Sequence, residues 1–499
     1  MEHPAPGTPS NAGQRRAAPS GPRTRLAGGT GTPVPGAPFT QVPSRPADIP
    51  DKPRGPDAHA PHPMKAAASK DMIDVNALCV GMFVHLDLGW MSHPFPLGNF
   101  KIADATQITT IRALGLRQIR WSPAQSDVAA PGAANVEAVE PAAAVTITPL
   151  PETPDALARR QNREQLKRQR AGQALCERQF AEAAQACKLL TERAPQHPQD
   201  SRAQAEALAR ALVDKMLVEG DLCIRLLSEA AGDKASMHAL NVTVISMLMG
   251  RTFGLDEADM LDLGVGALLH DIGKLELPDR VRHREEHFSS AELRLYEDHV
   301  ARGVVLGRKM GLSSGASLVL AQHHEHADGS GFPLRLNTDR MTAAARIVSL
   351  VNRYDNLCNP NLPAHAMTPH ESLSLLFAQG KTRFDTAILG AFIKMMGVYP
   401  AGSTVQLTDD RFAMVVGVNT SRPLKPRVLV HEPRVPRVDA LIIDLEGLHG
   451  VGIRRSIKPQ QLPIASLEYL APRPRVSYFF EPLQSSESAA ALHEAEVVH

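Results

Sequence analysis

Apolar positions recur along the chain with periods that change from stretch to stretch. From Asp74 onward, "ALCVGMFVHLDL" is rich in strand-forming residues. "KIADATQITTIRALGLRQIRWS" predicts a helix that starts at Asp104, stops at Gly115 and is followed by a strand. Together they predict a small α/β unit over 73–125. Residues 126–153, rich in Ala, Pro and Val, predict a linker. Residues 154–214 are dominated by Ala, Leu, Gln, Glu and Arg and predict a helical arm with a very polar, basic first half. Helical periods with turn signals between them continue over 215–400. Beyond Pro400 the period drops to two: "STVQLTDDRFAMVVGVN" turns at Asp409-Asp410, and "RVLVHE" and "ALIIDLE" predict further strands. A small β module is therefore expected over 401–475, with a loose tail at 476–499. Residues 1–66 have no period. Fifteen of the 40 prolines fall in the first 63 residues, and such a stretch cannot bury enough apolar surface to offset its ordering entropy, so disorder is expected. The expected fold class is multidomain and mainly α, with a small N-terminal α/β unit and a small C-terminal β module.

Composition narrows the function. The chain has 499 residues and a formal net charge of +1, so no global field points to nucleic acid. The basic run "RRQNREQLKRQR" lacks interleaved aromatics and reads as a solvated helix face. The five cysteines (Cys79, Cys176, Cys187, Cys223, Cys358) form no CxxC pair and suit reduced thiols. No apolar run approaches the ~18 residues needed to span a bilayer. The expectation is a soluble, cytoplasmic protein with no membrane span.

The chemistry concentrates in the helical 215–400 stretch. His238 lies in "ASMHALNVTVISMLMG", His270, Asp271 and Lys274 in "LLHDIGK", His299 in "LYEDHVARG", His323 and His324 in "HHEHADGSGFP", and Asn352 and Asp355 in "VNRYDNL". Taken singly, His238 and His299 read as satisfied core histidines, and His323 with His324 as a polar turn. Asp271 is different, because it follows an apolar stretch, and an uncompensated carboxylate buried there would be expensive. On a helix, His323 and His324 would lie about 100° apart, reaching two ions or one ion and its surroundings. The gaps of 32, 28 and 24 residues (238 to 270, 271 to 299, 299 to 323) are those of a bundle in which each helix turns one or two side chains inward. Several imidazoles and a carboxylate, without thiolates, suit iron, manganese, nickel or zinc and exceed the needs of one ion. A two-metal centre is expected.

"HDIGKLELPD" followed by "HHEHADGSGFP" resembles the HD-GYP family of HD-superfamily metal-dependent phosphohydrolases, over about residues 215–400. The 73–125 segment is similar to a small domain of unknown function that often precedes HD-GYP domains in bacteria. The resemblance implies an all-helical enzyme of signal transduction that hydrolyses cyclic di-GMP to pGpG and GMP with a hydroxide activated by two divalent ions, iron or manganese. It implies metal-ligand roles for His238, His270, Asp271, His299, His323 and His324, with Asp271 bridging, and a phosphate contact for Lys274. Asn352 stands where the family has a final Asp ligand. Asp328, Gly329, Gly331, Phe332 and Pro333 form the loop for substrate or for a diguanylate cyclase (GGDEF) partner, with Phe332 in the place of Tyr. Homodimerisation is compatible with it. Lys234 stands where some members carry a Glu for a third metal, and the basic motif usual after the last ligand is missing. These departures keep open a regulatory or scaffolding protein that binds metal or nucleotide without turnover.

Overall fold

The computed structural model describes residues 72–483, apart from 89–92, 94, 96–97, 128–152, 218–219, 229–231, 284–286, 381 and 449. The expected disorder of 1–66 and the expected linker lie outside the described residues, the latter except at its two ends. The chain opens with strands β1 (Met72–Asp74), β2 (Phe83–His85) and β3 (Asn99–Lys101), helix α1 (Ala105–Ala113) and strand β4 (Gln118–Trp121). Asp104 caps α1 by accepting from the Gln107 backbone N–H, and Gly115 ends it with φ +73°. The four strands form one antiparallel sheet in the order β1-β4-β2-β3, and Val84, Ile111, Ile119 and Trp121 close its core.

Two long helices follow, α2 (Pro154–Arg193) and α3 (Pro198–Met216). The polar first half of α2 is largely exposed. Its second half turns Phe180, Ala183, Cys187 and Leu190 into the same core that α3 reaches with Leu208, Leu212 and Met216. The expected arm is thus half solvated and half bundle. Strand β5 (Leu222–Leu226) leads into α4 (Lys234–Thr252), α5 (Glu257–Leu269), α6 (Ser290–Glu297), α7 (His299–Met310), α8 (Ser314–Gln322), α9 (Ala343–Cys358), α10 (Pro369–Gln379) and α11 (Thr386–Met396). Then come β6 (Thr404–Leu407), β7 (Phe412–Asn419), β8 (Arg427–Val430), β9 (Ile442–Asp444), β10 (Ile453–Ser456), α12 (Ile464–Leu470) and β11 (Tyr478–Pro482).

Two expectations are corrected here. The C-terminal strands are not a separate module, because β5, which precedes the helices, pairs with both β7 and β11 in a seven-stranded antiparallel sheet. The tail expected from 476 is ordered as far as 483. Its Tyr478, Phe479 and Phe480 are buried, and Phe479 meets Phe180 of α2 edge-on at 6.3 Å. Glu481 fixes the register: Arg225 of β5 lies 2.6 Å from its carboxylate and Arg427 of β8 lies 2.8 Å from it. Burying three aromatic side chains contributes several kcal/mol, ample to order a strand with no other local signal.

Candidate metal centre

The histidines sit where helices begin and end. Asp233 caps α4 by accepting from the Ala235 and Ser236 N–H groups, which sets His238 one turn in. His270 ends α5, and the chain tightens after Asp271 into a 3-10 turn, Ile272–Glu276. Gly273 lets that turn rest on α7. A Cβ there would come within 1.9 Å of the His299 carbonyl oxygen and 2.4 Å of the Gly303 nitrogen, so no larger residue fits. His299 is the first residue of α7, and His323 and His324 follow the last residue of α8.

Asp271 stands at the middle with its two oxygens facing opposite ways. Oδ2 lies 3.6 Å from His238 Nε2, 3.5 Å from His270 Nε2 and 2.7 Å from Lys274 Nζ. Oδ1 lies 3.5 Å from His299 Nε2 and 3.7 Å from His323 Nε2. The ring nitrogens also face each other in pairs, His238 to His270 at 3.2 Å and His299 to His323 at 3.3 Å. Two groups with metal-ligand spacing share Asp271: His238 and His270 on one side, and His299, His323 and His324 on the other. His323 and His324 both enter the second group. The helix ends at Gln322, so the 100° separation expected of adjacent helical residues does not apply.

What orients the imidazoles is equally specific. Nδ1 of His270 donates to the Ala267 carbonyl (2.7 Å), that of His299 to Tyr296 (2.5 Å) and that of His323 to Leu320 (2.9 Å). Nδ1 of His238 donates to Asp355 Oδ2 (2.6 Å). In each case the hydrogen bond fixes the tautomer that leaves Nε2 as a lone-pair donor facing Asp271. Burial lowers the pKa of His299 to about 3 and those of His270 and His324 well below the ordinary value, so these three rings stay neutral. Burial alone would raise the Asp271 carboxyl, but the Lys274 ammonium 2.7 Å away holds it well below the usual carboxylate range. Buried Asp271 Oδ1 and His324 Nε2 have no hydrogen-bond partner. Neutral nitrogen donors, an ionised carboxylate and two orphaned buried acceptors are the donor set of a divalent transition metal.

The sequence-predicted residues divide as follows. His238, His270, Asp271, His299, His323, His324 and Lys274 come together. Asn352 is buried on α9, but its Oδ1 accepts from Asn356 Nδ2 (2.6 Å). The α9 residue hydrogen-bonded to the cluster is Asp355. Its Oδ1 accepts from Asn241 and Asn359 Nδ2, both at 2.8 Å. These two asparagines escaped the sequence reading. A buried Asn three residues after His238, inside the apolar run of α4, was the available signal. The Gly331-Phe332-Pro333 loop folds back beside the cluster, and Phe332 stacks on His324 at 4.4 Å. A Cβ on Gly331 would meet the His326 nitrogen at 2.4 Å, and buried Glu325 ties the loop by accepting from Leu334 N (2.6 Å) and Leu336 N (2.8 Å). Asp328 and Gly329 make the preceding turn, where Asp328 Oδ1 accepts from the Ser330 N–H and Gly329 has φ +75°. On the rim, Lys234 Nζ donates to Asn361 Oδ1 (2.7 Å); burial, with Arg475 and Lys274 nearby, lowers its pKa to about 8.

The whole of this helical His/Asp cluster lies within a stretch that matches a known family. Residues 221–388 match the HD domain family, and residues 71–205 match a Domain of unknown function, DUF3391. The first match holds the whole cluster, and the DUF3391 match takes in the four-stranded unit, α2 and part of α3. The chain is 27% identical over 362 residues to the Cyclic di-GMP phosphodiesterase PA4108 of Pseudomonas aeruginosa, covering 72% of this chain and 84% of the relative. It is 23% identical to the Cyclic di-GMP phosphodiesterase PdeB of Borreliella burgdorferi, covering 38% of this chain and 51% of that protein. Among solved structures it matches Bd1817, a HDG"Y"P protein from Bdellovibrio bacteriovorus, at 15% identity and a TM-score of 0.35, covering 64% of this chain and 97% of that one. Among the described residues no helix is long and apolar enough to cross a membrane.

Proposed function

We propose that the chain is a metal-dependent phosphodiesterase that hydrolyses cyclic di-GMP to pGpG and then GMP. The observation that carries this reading is Asp271, whose two carboxylate oxygens face two separate groups of imidazole Nε2 atoms. The names of the relatives support the substrate. In this reading His238 and His270 hold one divalent ion and His299, His323 and His324 hold a second, with Asp271 shared; imidazole and carboxylate donors suit iron or manganese. A bound pair of such ions supplies a water acidified to near-neutral pKa and positive charge for the phosphate oxygens.

The chain's own residues do the rest. Neutral imidazoles add no negative charge, so the centre keeps a net positive field toward an anionic diester. Lys274, whose pKa is raised mainly by Asp271 against the cost of burial, stays an ammonium and donates to a phosphate oxygen when the substrate arrives. Tyr296 lies under Lys274, 5.3 Å from ring centre to Nζ, and keeps that ammonium on the cluster side. Phe332, stacked on His324, walls off water.

A second reading, a regulator that binds metal or nucleotide without turnover, is favoured by one observation: where the family carries a carboxylate ligand, α9 presents Asn352 bonded to Asn356. Elemental analysis of the purified protein, with cyclic di-GMP hydrolysis assayed under added Mn²⁺ or reduced iron, decides between them. About two ions per chain with pGpG or GMP formed is the expected outcome of the two-ion reading. Metal without product supports the regulator, and neither metal nor product overturns both.

A further inference from the structure

Between α2, the seven-stranded sheet and the segment leading into β11 lies a cavity of about 220 Å³. None of the cluster residues lines it. Its floor is apolar, from Leu226, Met414, Val416 and Leu429, and its rim carries Arg170, Arg437, Arg473 and Arg475. No aspartate or glutamate is among the lining residues. Arg170 is committed, since it donates to the Val438 carbonyl and lies 3.5 Å from Asp439 Oδ1. The side chains of the other three arginines make no hydrogen bond or ion pair among the described residues. Arg437, Arg473 and Arg475 thus line one cavity with no carboxylate bonded to their side chains among the described residues. Their planar donor forks match a phosphate or a carboxylate. The apolar floor adds a second requirement, a body that leaves water readily.

The cavity wall is wired to the metal centre. Val476 lines the cavity. Its carbonyl accepts from Asn241 Nδ2 (3.0 Å) and Asn359 Nδ2 (2.9 Å), and its N–H donates to Asn359 Oδ1 (2.9 Å). The same two amides hold Asp355, which holds His238. We propose that this cavity binds a small amphipathic anion, a phosphate or carboxylate on an apolar body, and that its occupancy is transmitted through Val476 to His238. Any ligand that shifts Val476 shifts the carboxylate orienting that imidazole. Metal and anion then alter each other's affinity by one common factor. The inference goes beyond the proposed hydrolysis and needs only the cavity and the hydrogen-bond chain.

The test titrates 8-anilinonaphthalene-1-sulfonate into the full-length protein by fluorescence, with decanoate and GMP as competitors. Competition is repeated in Asp271→Ala, so that GMP at the metal centre does not count. Saturable binding of one probe per chain is expected, displaced by decanoate if the natural ligand is an aliphatic carboxylate and by GMP if it is a nucleotide. Arg473→Glu and Arg437→Glu, with unchanged circular dichroism melts, each weaken the probe roughly tenfold, and Arg473→Lys falls between. Mn²⁺ changes probe affinity, and the probe changes Mn²⁺ affinity, by the same factor of about five or more. Unsaturable fluorescence, indifference to both charge reversals, or displacement by neither competitor overturns the site. Equal probe affinity with and without Mn²⁺ overturns its connection to His238.

Discussion

The two sides of Asp271 are built differently. On the Oδ1 side, His299 and His323 each take their orientation from a carbonyl three residues back in their own chain. That side is made of local structure. On the Oδ2 side, His270 is oriented locally, but His238 depends on Asp355, which is held by Asn241 and Asn359, which are held in turn by the backbone at Val476. Oδ2 also shares its charge with Lys274. The Oδ1 side has three histidines and no competing cation, so it is expected to bind metal more tightly. The lesson is that the same kinds of ligand do not give equal sites, because one is preorganised by its own helix ends and the other by distant chain.

Breaking the shared carboxylate has the largest expected effect. Asp271→Ala abolishes metal retention on both sides and takes hydrolysis to background; normal turnover in that variant rejects the two-sided centre. His299→Ala removes the Oδ1-side metal alone, so elemental analysis should read about half the wild-type content. Asp355→Asn leaves every ligand in place but weakens the carboxylate bond to His238, and should cost the Oδ2-side metal about 10–100-fold in affinity. Equal loss on both sides would erase the asymmetry. Asn359→Ala acts one bond further out, where a loss near tenfold, read by metal titration, is expected.

Lys234 sharpens the comparison from the stability side. Its pKa falls from an ordinary 10.5 to about 8, because burial and the nearby Arg475 and Lys274 disfavour the charged form. A depressed lysine pKa costs stability wherever the unfolded lysine is protonated. The cost is fully present below pH 8 and disappears as the pH rises from about 8 through 10.5. Lys234→Met should therefore raise the melting temperature at pH 7 by roughly one to a few degrees, with the gain shrinking above pH 8. A gain that persists at pH 10.5 would assign it to packing.

Much of the cluster was legible because its members are unusual where they occur. A His-Asp pair after an apolar helix, and single histidines in separate amphipathic helices, stand out by residue type, and the structure brings all six together. The orienting groups were harder to find. Asp355 and Asn352 lie one turn apart on α9, and only tertiary contact decides which of them touches His238. The sheet was least legible. "DLCIRLLSEA" shares its apolar spacing with a helix, and β5 finds its partners beyond the bundle, with Arg225 and Glu481 separated by 256 positions. Such pairings leave no local pattern, and the aromatic run at 478–480 signalled burial without naming a neighbour.

The tie between Asn241 and Tyr478, in which the strand N–H donates to Asn241 Oδ1 at 3.0 Å, joins residues 237 positions apart. It also dates the parts of the centre during synthesis. A nascent chain leaving the ribosome carries His299 and His323, with the carbonyls that orient them, well before Val476 and Tyr478, which hold Asn241 and Asn359, have been translated. The Oδ1 side is therefore expected to form before the chain reaches β11. The Oδ2 side becomes complete only when β11 has been added, so the two halves of the centre are expected to form in a fixed order.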